Sequence, residues 1–183
     1  IYAIYTVVNR LGKNFFETTR SLFAKVQDKH LCRWYTVKNL FLKSGESRMS
    51  YTFGFIGCGN MGGALATAAA KTLPAGEIIL ADQSADKARA LAAKLGTASG
   101  TNETVAQNSH YLFLGVKPQM MAEMLASIAP VLRARGDQFV LVTMAAGLPI
   151  ARIQEMAGYP YPVIRIMPNT PVSVGAGMLL YTA

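Results

Sequence analysis

The stretch Phe53-Gly54-Phe55-Ile56-Gly57-Cys58-Gly59-Asn60-Met61-Gly62-Gly63 decides how this 183-residue chain is read. An apolar run ends in Gly-X-Gly-X-X-Gly and opens onto the alanine-rich segment from Ala64 to Ala70. That order of side chains predicts a strand turning sharply into a helix. Gly57 permits the tight turn, Gly59 omits a Cβ where a pyrophosphate would approach the backbone, and Gly62 lets the helix pack closely on the sheet. Free N–H groups in the helix's first turn would then face the phosphates. A flexible glycine loop is the plain alternative, since such turns are common. The apolar strand before the motif, the helical pattern after it and the acidic Asp82 twenty positions beyond Gly62 favour a dinucleotide site.

The chain has room for one ordinary domain and an appendage, and its 51% hydrophobic content supports a core. Charge divides it unevenly. Residues 1–48 carry nine Lys/Arg against three Asp/Glu, and residues 49–183 carry nine against seven. The formal +8 therefore belongs mostly to the leader and says little about the domain's ligand. Cys32 and Cys58 lie far apart in unlike contexts and give no disulfide framework. Cys58 reads as a small residue tolerated in the glycine turn. No apolar stretch reaches the roughly eighteen residues of a membrane span. Ile1 to Val8 is too short for one and lacks the positive region that precedes a signal peptide's apolar segment. A soluble, cytoplasmic protein without a membrane partner is expected. No group of side chains has metal-ligand spacing, so no metal is expected either.

Residues 1–48 scatter aromatic and basic residues without a sustained period. A nucleic-acid-binding arm would need its bases clustered on one face, and an organellar transit peptide would be Arg- and Ser-rich and amphipathic. Neither fits, so no nucleic-acid partner is expected. Met49 stands just ahead of the first strand, which divides the chain into a basic leader, 1–48, and a dinucleotide-binding domain, 49–183. The expectation is that Met49 is the natural start.

From Met49 onward strand and helix signals alternate. Strands are expected at Tyr51 to Ile56, Glu77 to Ala81, Thr97 to Ser99, Tyr111 to Val116, Phe139 to Met144, Val163 to Met167 and Gly177 to Tyr181. Helices are expected at Asn60 to Leu73, from an N-cap at Ser84 to Lys94 or Leu95, Glu103 to Gln107 after Asn102, Gln119 to Ile128, and Pro149 to Ala157. This alternation implies an α/β fold of Rossmann type, with a doubly wound, mostly parallel sheet. Ligands of such folds sit beyond the carboxyl ends of the strands.

Those ends hold Gly57–Gly62, Asp82-Gln83-Ser84, Gly115-Val116-Lys117-Pro118-Gln119, Thr143-Met144-Ala145-Ala146-Gly147 and Arg165-Ile166-Met167-Pro168-Asn169-Thr170-Pro171. In this order and spacing, Phe-Ile-Gly-Cys-Gly-Asn-Met-Gly, Val-Lys-Pro-Gln, Ala-Ala-Gly and Arg-Ile-Met-Pro-Asn-Thr-Pro resemble the N-terminal domain of the pyrroline-5-carboxylate reductases, over about residues 52–183.

The resemblance implies hydride transfer from NADPH or NADH to 1-pyrroline-5-carboxylate, giving L-proline in proline biosynthesis. It implies that Ile56, Gly57, Cys58, Gly59, Asn60, Met61 and Gly62 hold the pyrophosphate and that Asn102 meets the adenosine. Gly115, Val116, Lys117 and Pro118, with Met144, Ala145 and Ala146, would line the cofactor, and Asn169 and Thr170 would lie near the nicotinamide. A direct proton-transfer role for Lys117 is disfavoured, because a strand-end lysine more simply pairs with phosphate or ribose. Arg165 is read either as a carboxylate partner or as a local ion pair, and His110 as a surface residue. Asp82 departs from the small or basic residue usual with a phosphorylated cofactor. Its carboxylate can accept from ribose hydroxyls but repels a 2′-phosphate, so NADH is favoured, with Lys87 and Arg89 placed to offset the repulsion.

The family also has a C-terminal helical domain that forms the dimer and grips the substrate carboxylate, and residues 1–183 show no counterpart. The chain is therefore expected to be inactive alone, with homo-oligomers formed by a full-length protein only. Two other readings compete. One is a related dehydrogenase, of the β-hydroxyacid or deazaflavin-linked NADP groups; the other is a non-catalytic NAD(P)-binding module.

Overall fold

A computed structural model of the chain describes residues 6–7, 51–169, 171 and 178–182. Strands β1 (Thr6–Val7), β2 (Tyr51–Ile56), β3 (Ile78–Ala81), β4 (Ala98–Ser99), β5 (Ser109–Leu114), β6 (Val140–Thr143), β7 (Val163–Pro168) and β8 (Met178–Thr182) form one sheet. Its order is β1-β8-β7-β6-β5-β2-β3-β4. Strands β2 to β7 pair in parallel, whereas β8 runs antiparallel to β7 and β1 antiparallel to β8. The chain winds outward from β2 to β4, then returns to β5 and winds the other way. That reversal between β2 and β5 opens a crevice at the strands' carboxyl ends. The Rossmann-type, doubly wound fold expected from the alternation is the fold found.

Burial splits with a period of two, because successive strand side chains point to opposite faces. Phe53, Phe55, Ile78, Leu80, Tyr111, Phe113, Val142 and Ile164 meet one face's helices, α1 (Asn60–Ala69) and α2 (Ala85–Leu95). Ile56, Ile79, Leu112, Leu114, Leu141 and Val163 meet α3 (Asn102–Asn108), α4 (Met121–Ala134) and α5 (Ile150–Ala157) on the other. The first face explains the alanines. Phe53 lies edge-on to Tyr111 and Phe113, and Phe55 stacks on Phe113 at 4.5 Å between ring centres. This layer fills the space under α1, leaving room for Leu65 and the small Ala66 and Ala69. On the other face, Met121, Met124, Leu125, Ile128 and Leu132 of α4 pack as core residues, as their helical spacing predicts. Each fully buried large side chain contributes about 2 kcal/mol.

The boundaries differ from expectation where a local rule was outweighed. This helix was expected to end at Ile128, yet α4 continues through Pro130 to Ala134. Pro130 and Ala126 are both exposed, so the carbonyl that loses its partner faces water. Helix α1 ends at Ala69, and Lys71 and Thr72 donate to carbonyls three residues back in a tightened final turn. Glu77 belongs to a short 3-10 turn, where it accepts a hydrogen bond from the Thr52 hydroxyl, and β3 begins after it. Strand β5 runs from Ser109 to Leu114, so Gly115 and Val116 lie in the turn beyond it; Phe139 and Met144 likewise flank β6. Ser84 does occupy the N-cap of α2, without a side-chain capping bond. The cap of α3 is Thr101, whose hydroxyl accepts from Thr104 N–H at 3.2 Å, so Asn102 is the first helical residue. Gly177, expected to open the last strand, lies outside the described residues, as do Met49 and almost all of the leader.

Candidate functional site

The glycine turn is built by three close backbone approaches. Gly57 has φ +103°, a conformation L side chains rarely adopt, and its N–H donates to the Ala81 carbonyl at 2.8 Å. A Cβ on Gly62 would lie 2.0 Å from the Gly57 carbonyl oxygen, and one on Gly115 would lie 2.7 Å from that same oxygen. The turn, the start of α1 and the end of β5 therefore share a space that holds only backbone.

Gly59 is the opposite case. A Cβ there would meet nothing within 4 Å, so it faces open space at the N-terminus of α1. That helix has no side-chain cap and no acidic residue in its first turn. Gly63 N–H makes the first intrahelical bond, to the Gly59 carbonyl. The preceding amides of Asn60, Met61 and Gly62 carry the helix's positive end outward.

Asp82 follows β3 and is half-buried. Cys58 N–H donates to its Oδ2 at 2.7 Å, and Ser84 N–H donates to its Oδ1 at 3.0 Å. The buried Cys58 thiol donates to the Ala81 carbonyl at 3.4 Å. Its pKa is pushed up to about 11, first by burial and then by the Asp82 carboxylate, while the Lys87 ammonium acts in the lowering direction. The thiol is therefore protonated at neutral pH and serves as packing. Arg89 pairs with Asp86 one turn back on the exposed face of α2.

The remaining strand-end residues gather along the same edge, because the strands that precede them are parallel. Asn102 opens α3 and is half-buried, as are Gly115, Val116 and Met144; Lys117, Pro118, Ala146 and Asn169 are exposed. Ile56 and Ala145 are buried, so only their backbone can face a ligand. Ala145 N–H is held by the Thr143 hydroxyl at 3.3 Å. Thr170 lies outside the described residues. Arg165 is half-buried in β7 beside Thr143 of β6, and its Nε is buried with no hydrogen-bond partner among the described residues. His110, expected at the surface, is half-buried, its ring 4.6 Å from that of Tyr111 and nearly perpendicular to it. Among the described residues no group of three or more His, Cys, Asp or Glu could hold a metal ion. No described helix is long and apolar enough to cross a membrane.

Two features were missed in the sequence. Gly115 was read as lining the cofactor, whereas its lack of a Cβ is first a packing requirement of the turn. Arg135 was not singled out, yet its side chain is fully buried: it forks onto Asp137 at 2.8 and 2.9 Å, donates to the Ala106 and Ser109 carbonyls, and covers Phe139. These contacts tie together the amino-terminal edge of the sheet, opposite the crevice.

The family described as NADP oxidoreductase, coenzyme F420-dependent, matches residues 52–147, the span from β2 through the Ala145-Ala146-Gly147 turn. The chain belongs to that family. Within it, the chain resembles pyrroline-5-carboxylate reductases, as its motifs indicate. The Escherichia coli (strain K12) pyrroline-5-carboxylate reductase is 37% identical over 138 residues, covering 73% of this chain and 50% of that protein. The structure of a pyrroline-5-carboxylate reductase from Coxiella burnetii superposes with a TM-score of 0.64 at 27% identity, covering 71% of this chain and 49% of that one. That of Plasmodium falciparum pyrroline carboxylate reductase with NADP bound gives 0.58 at 26% identity, over 74% and 50%. The chain spans about half the length of the curated relatives it matches.

Proposed function

We propose that the chain is the cofactor-binding half of a pyrroline-5-carboxylate reductase, an oxidoreductase that converts the C=N bond of 1-pyrroline-5-carboxylate to the C–N bond of L-proline. The observation that carries this reading is the convergence of Gly57, Gly62 and Gly115, which leaves the uncapped start of α1 open at the carboxyl edge of the sheet. The residues fit a dinucleotide. The open space at Gly59 and the outward amides of Asn60, Met61 and Gly62 suit a pyrophosphate, and Asp82 stands at the next strand end, where a ribose would lie. A bound reduced nicotinamide supplies the hydride.

The protein's own task is to place that ring and keep it placed. In this reading Asn102 meets the adenosine, and the turns at Gly115–Pro118 and Met144–Ala146 line the cofactor's length. Asn169 and Thr170 offer hydrogen-bonding groups beside the nicotinamide. The clamp for the substrate's carboxylate and the homo-oligomer contact belong to the other half of the relatives' length. Residues 1–183 alone are thus expected to bind the cofactor but to reduce the imine slowly or not at all, in a cytoplasmic setting. In this reading residues 1–48 take no part in holding the cofactor, although Thr6–Val7 pair with β8 at the far edge of the sheet.

Cofactor choice follows from charge. The Asp82 carboxylate disfavours a 2′-phosphate, and Arg89 is engaged by Asp86, which leaves Lys87 as the other candidate to offset the repulsion. We infer a preference for NADH. Calorimetric titration of the chain with each nucleotide tests it, and tenfold tighter binding of NADPH would overturn it. The family's description supports one second reading, in which the same site serves exchange between NADP and a reduced deazaflavin. Assays of the intact protein with reduced coenzyme F420 and with 1-pyrroline-5-carboxylate separate the two.

A further inference from the structure

Apart from what Cys58 and Asp82 supply, little packing holds the outer part of the glycine turn. Gly59 is extended, with φ −68° and ψ −170°, and a side chain there would touch nothing. Gly57 is fixed by its bond to the Ala81 carbonyl, and the Cys58 thiol donates to that same carbonyl. Beyond these, the close approaches of Gly62 and Gly115 and the bond from Gly63 N–H to the Gly59 carbonyl, the side chain that holds the turn is Asp82, whose two carboxylate oxygens each accept a backbone N–H: Cys58 on one side, Ser84 on the other. Bonds from N–H to a charged acceptor are the stronger kind, and the pair orients the carboxylate plane as well as the loop. One side chain thus joins the phosphate-facing turn to the start of α2.

We propose that Asp82 is a positioning residue for the glycine turn: by holding Cys58 N–H and Ser84 N–H it fixes the backbone that leaves the start of α1 open to a pyrophosphate. This rests on the dinucleotide reading and adds a second role to the residue that opposes a 2′-phosphate. Removing the carboxylate then has two opposite effects on NADPH. Repulsion is relieved, and the turn is loosened. Asn and Ala separate these effects, because both remove the charge but only Asn keeps an oxygen for Cys58 N–H.

The test compares the 183-residue wild-type chain with Asp82→Asn and Asp82→Ala, by amide hydrogen exchange without nucleotide and by calorimetric titration with NADH and NADPH. Exchange at Cys58 is expected to be about tenfold faster in Asp82→Ala and restored in Asp82→Asn, with Ser84 faster in both. NADPH is expected to bind Asp82→Asn more tightly than Asp82→Ala. Unchanged exchange at Cys58 in Asp82→Ala, or equal NADPH binding by the two variants, would overturn the proposal. So would a rise in exchange spread through β5 and α4, since that marks loss of the whole fold and not of the turn. Failure of the wild-type chain to bind either nucleotide would overturn the dinucleotide reading itself, while the exchange measurement separately decides whether Asp82 fixes the turn.

Discussion

A Cβ placed on Gly62 falls 2.0 Å from the carbonyl oxygen of Gly57, well inside any contact distance. Two opposing effects act on Gly62→Ala. Alanine in place of glycine favours the helix by up to about 1 kcal/mol. Driving a methyl group into a fixed backbone carbonyl costs about 3 kcal/mol and wins. A net loss near 2 kcal/mol is expected in urea unfolding, together with lost nucleotide binding. A variant as stable as the wild type would show that α1 can move away from the turn.

Arg135 makes a prediction at the far edge of the sheet. Arg135→Ala strands the Ala106 and Ser109 carbonyls and leaves Asp137, 25% exposed, without its fork. A loss of about 3 kcal/mol is expected. Arg135→Lys recovers little of it, because an ammonium cannot match the bidentate geometry. Nucleotide dissociation constants, measured well below the melting temperature, should stay the same in both variants. An altered dissociation constant would place Arg135 in communication with the crevice.

The Cys58 thiol gives a pH dependence with a definite sign. Its folded pKa, pushed up to about 11, lies above the ordinary value of 9.0, so the folded state holds this proton more tightly than the unfolded chain does. The associated stability is complete below pH 9 and is lost as pH rises to about 11, amounting to roughly 3 kcal/mol. Tyr161 and Tyr181 are also shifted upward by burial, so the effect is read as the difference between the wild type and Cys58→Ala. Stability curves that run parallel from pH 8 to about 11 in the two proteins would contradict the assignment. At pH 7.5 the thiol should also resist iodoacetamide until the protein unfolds.

How much of this was legible depends on how far apart the partners lie in the chain. The turn was readable because Gly57, Gly59 and Gly62 share one short segment, and the reasons each must be glycine are local. Strand β2 was readable to the residue, since an apolar run meeting a glycine turn has few other outcomes. The contact of Gly115 with Gly57 joins residues from separate βα units and leaves no pattern in either. Arg135 is more hidden still, as its acceptors come from α3, from the start of β5 and from its own loop. The run of α4 past Ile128 was not legible, because a proline such as Pro130 ordinarily argues against helix, and here the carbonyl it frees lies on the wet side of α4. Asp82 was found by its spacing from the glycines, but its bond to Cys58 depends on how closely β2 and β3 run together, whereas its bond to Ser84 is local. Strand-end residues such as Asn102, Lys117 and Asn169 were placed on one edge by topology, while what each touches is a property of the bound state.

Whether the glycine turn holds a pyrophosphate is decided at Gly59. Its backbone conformation is open to any L residue, and an added methyl meets no protein atom within 4 Å, so Gly59→Ala should fold as stably as the wild type. The methyl would stand where the pyrophosphate must approach. Calorimetric titration of both proteins with NADH and NADPH should give saturable binding by the wild type and binding weakened about a hundredfold or more by the variant, at unchanged melting temperature. Equal binding by a stably folded Gly59→Ala, or no binding by the wild type, would show that the turn is not a pyrophosphate site.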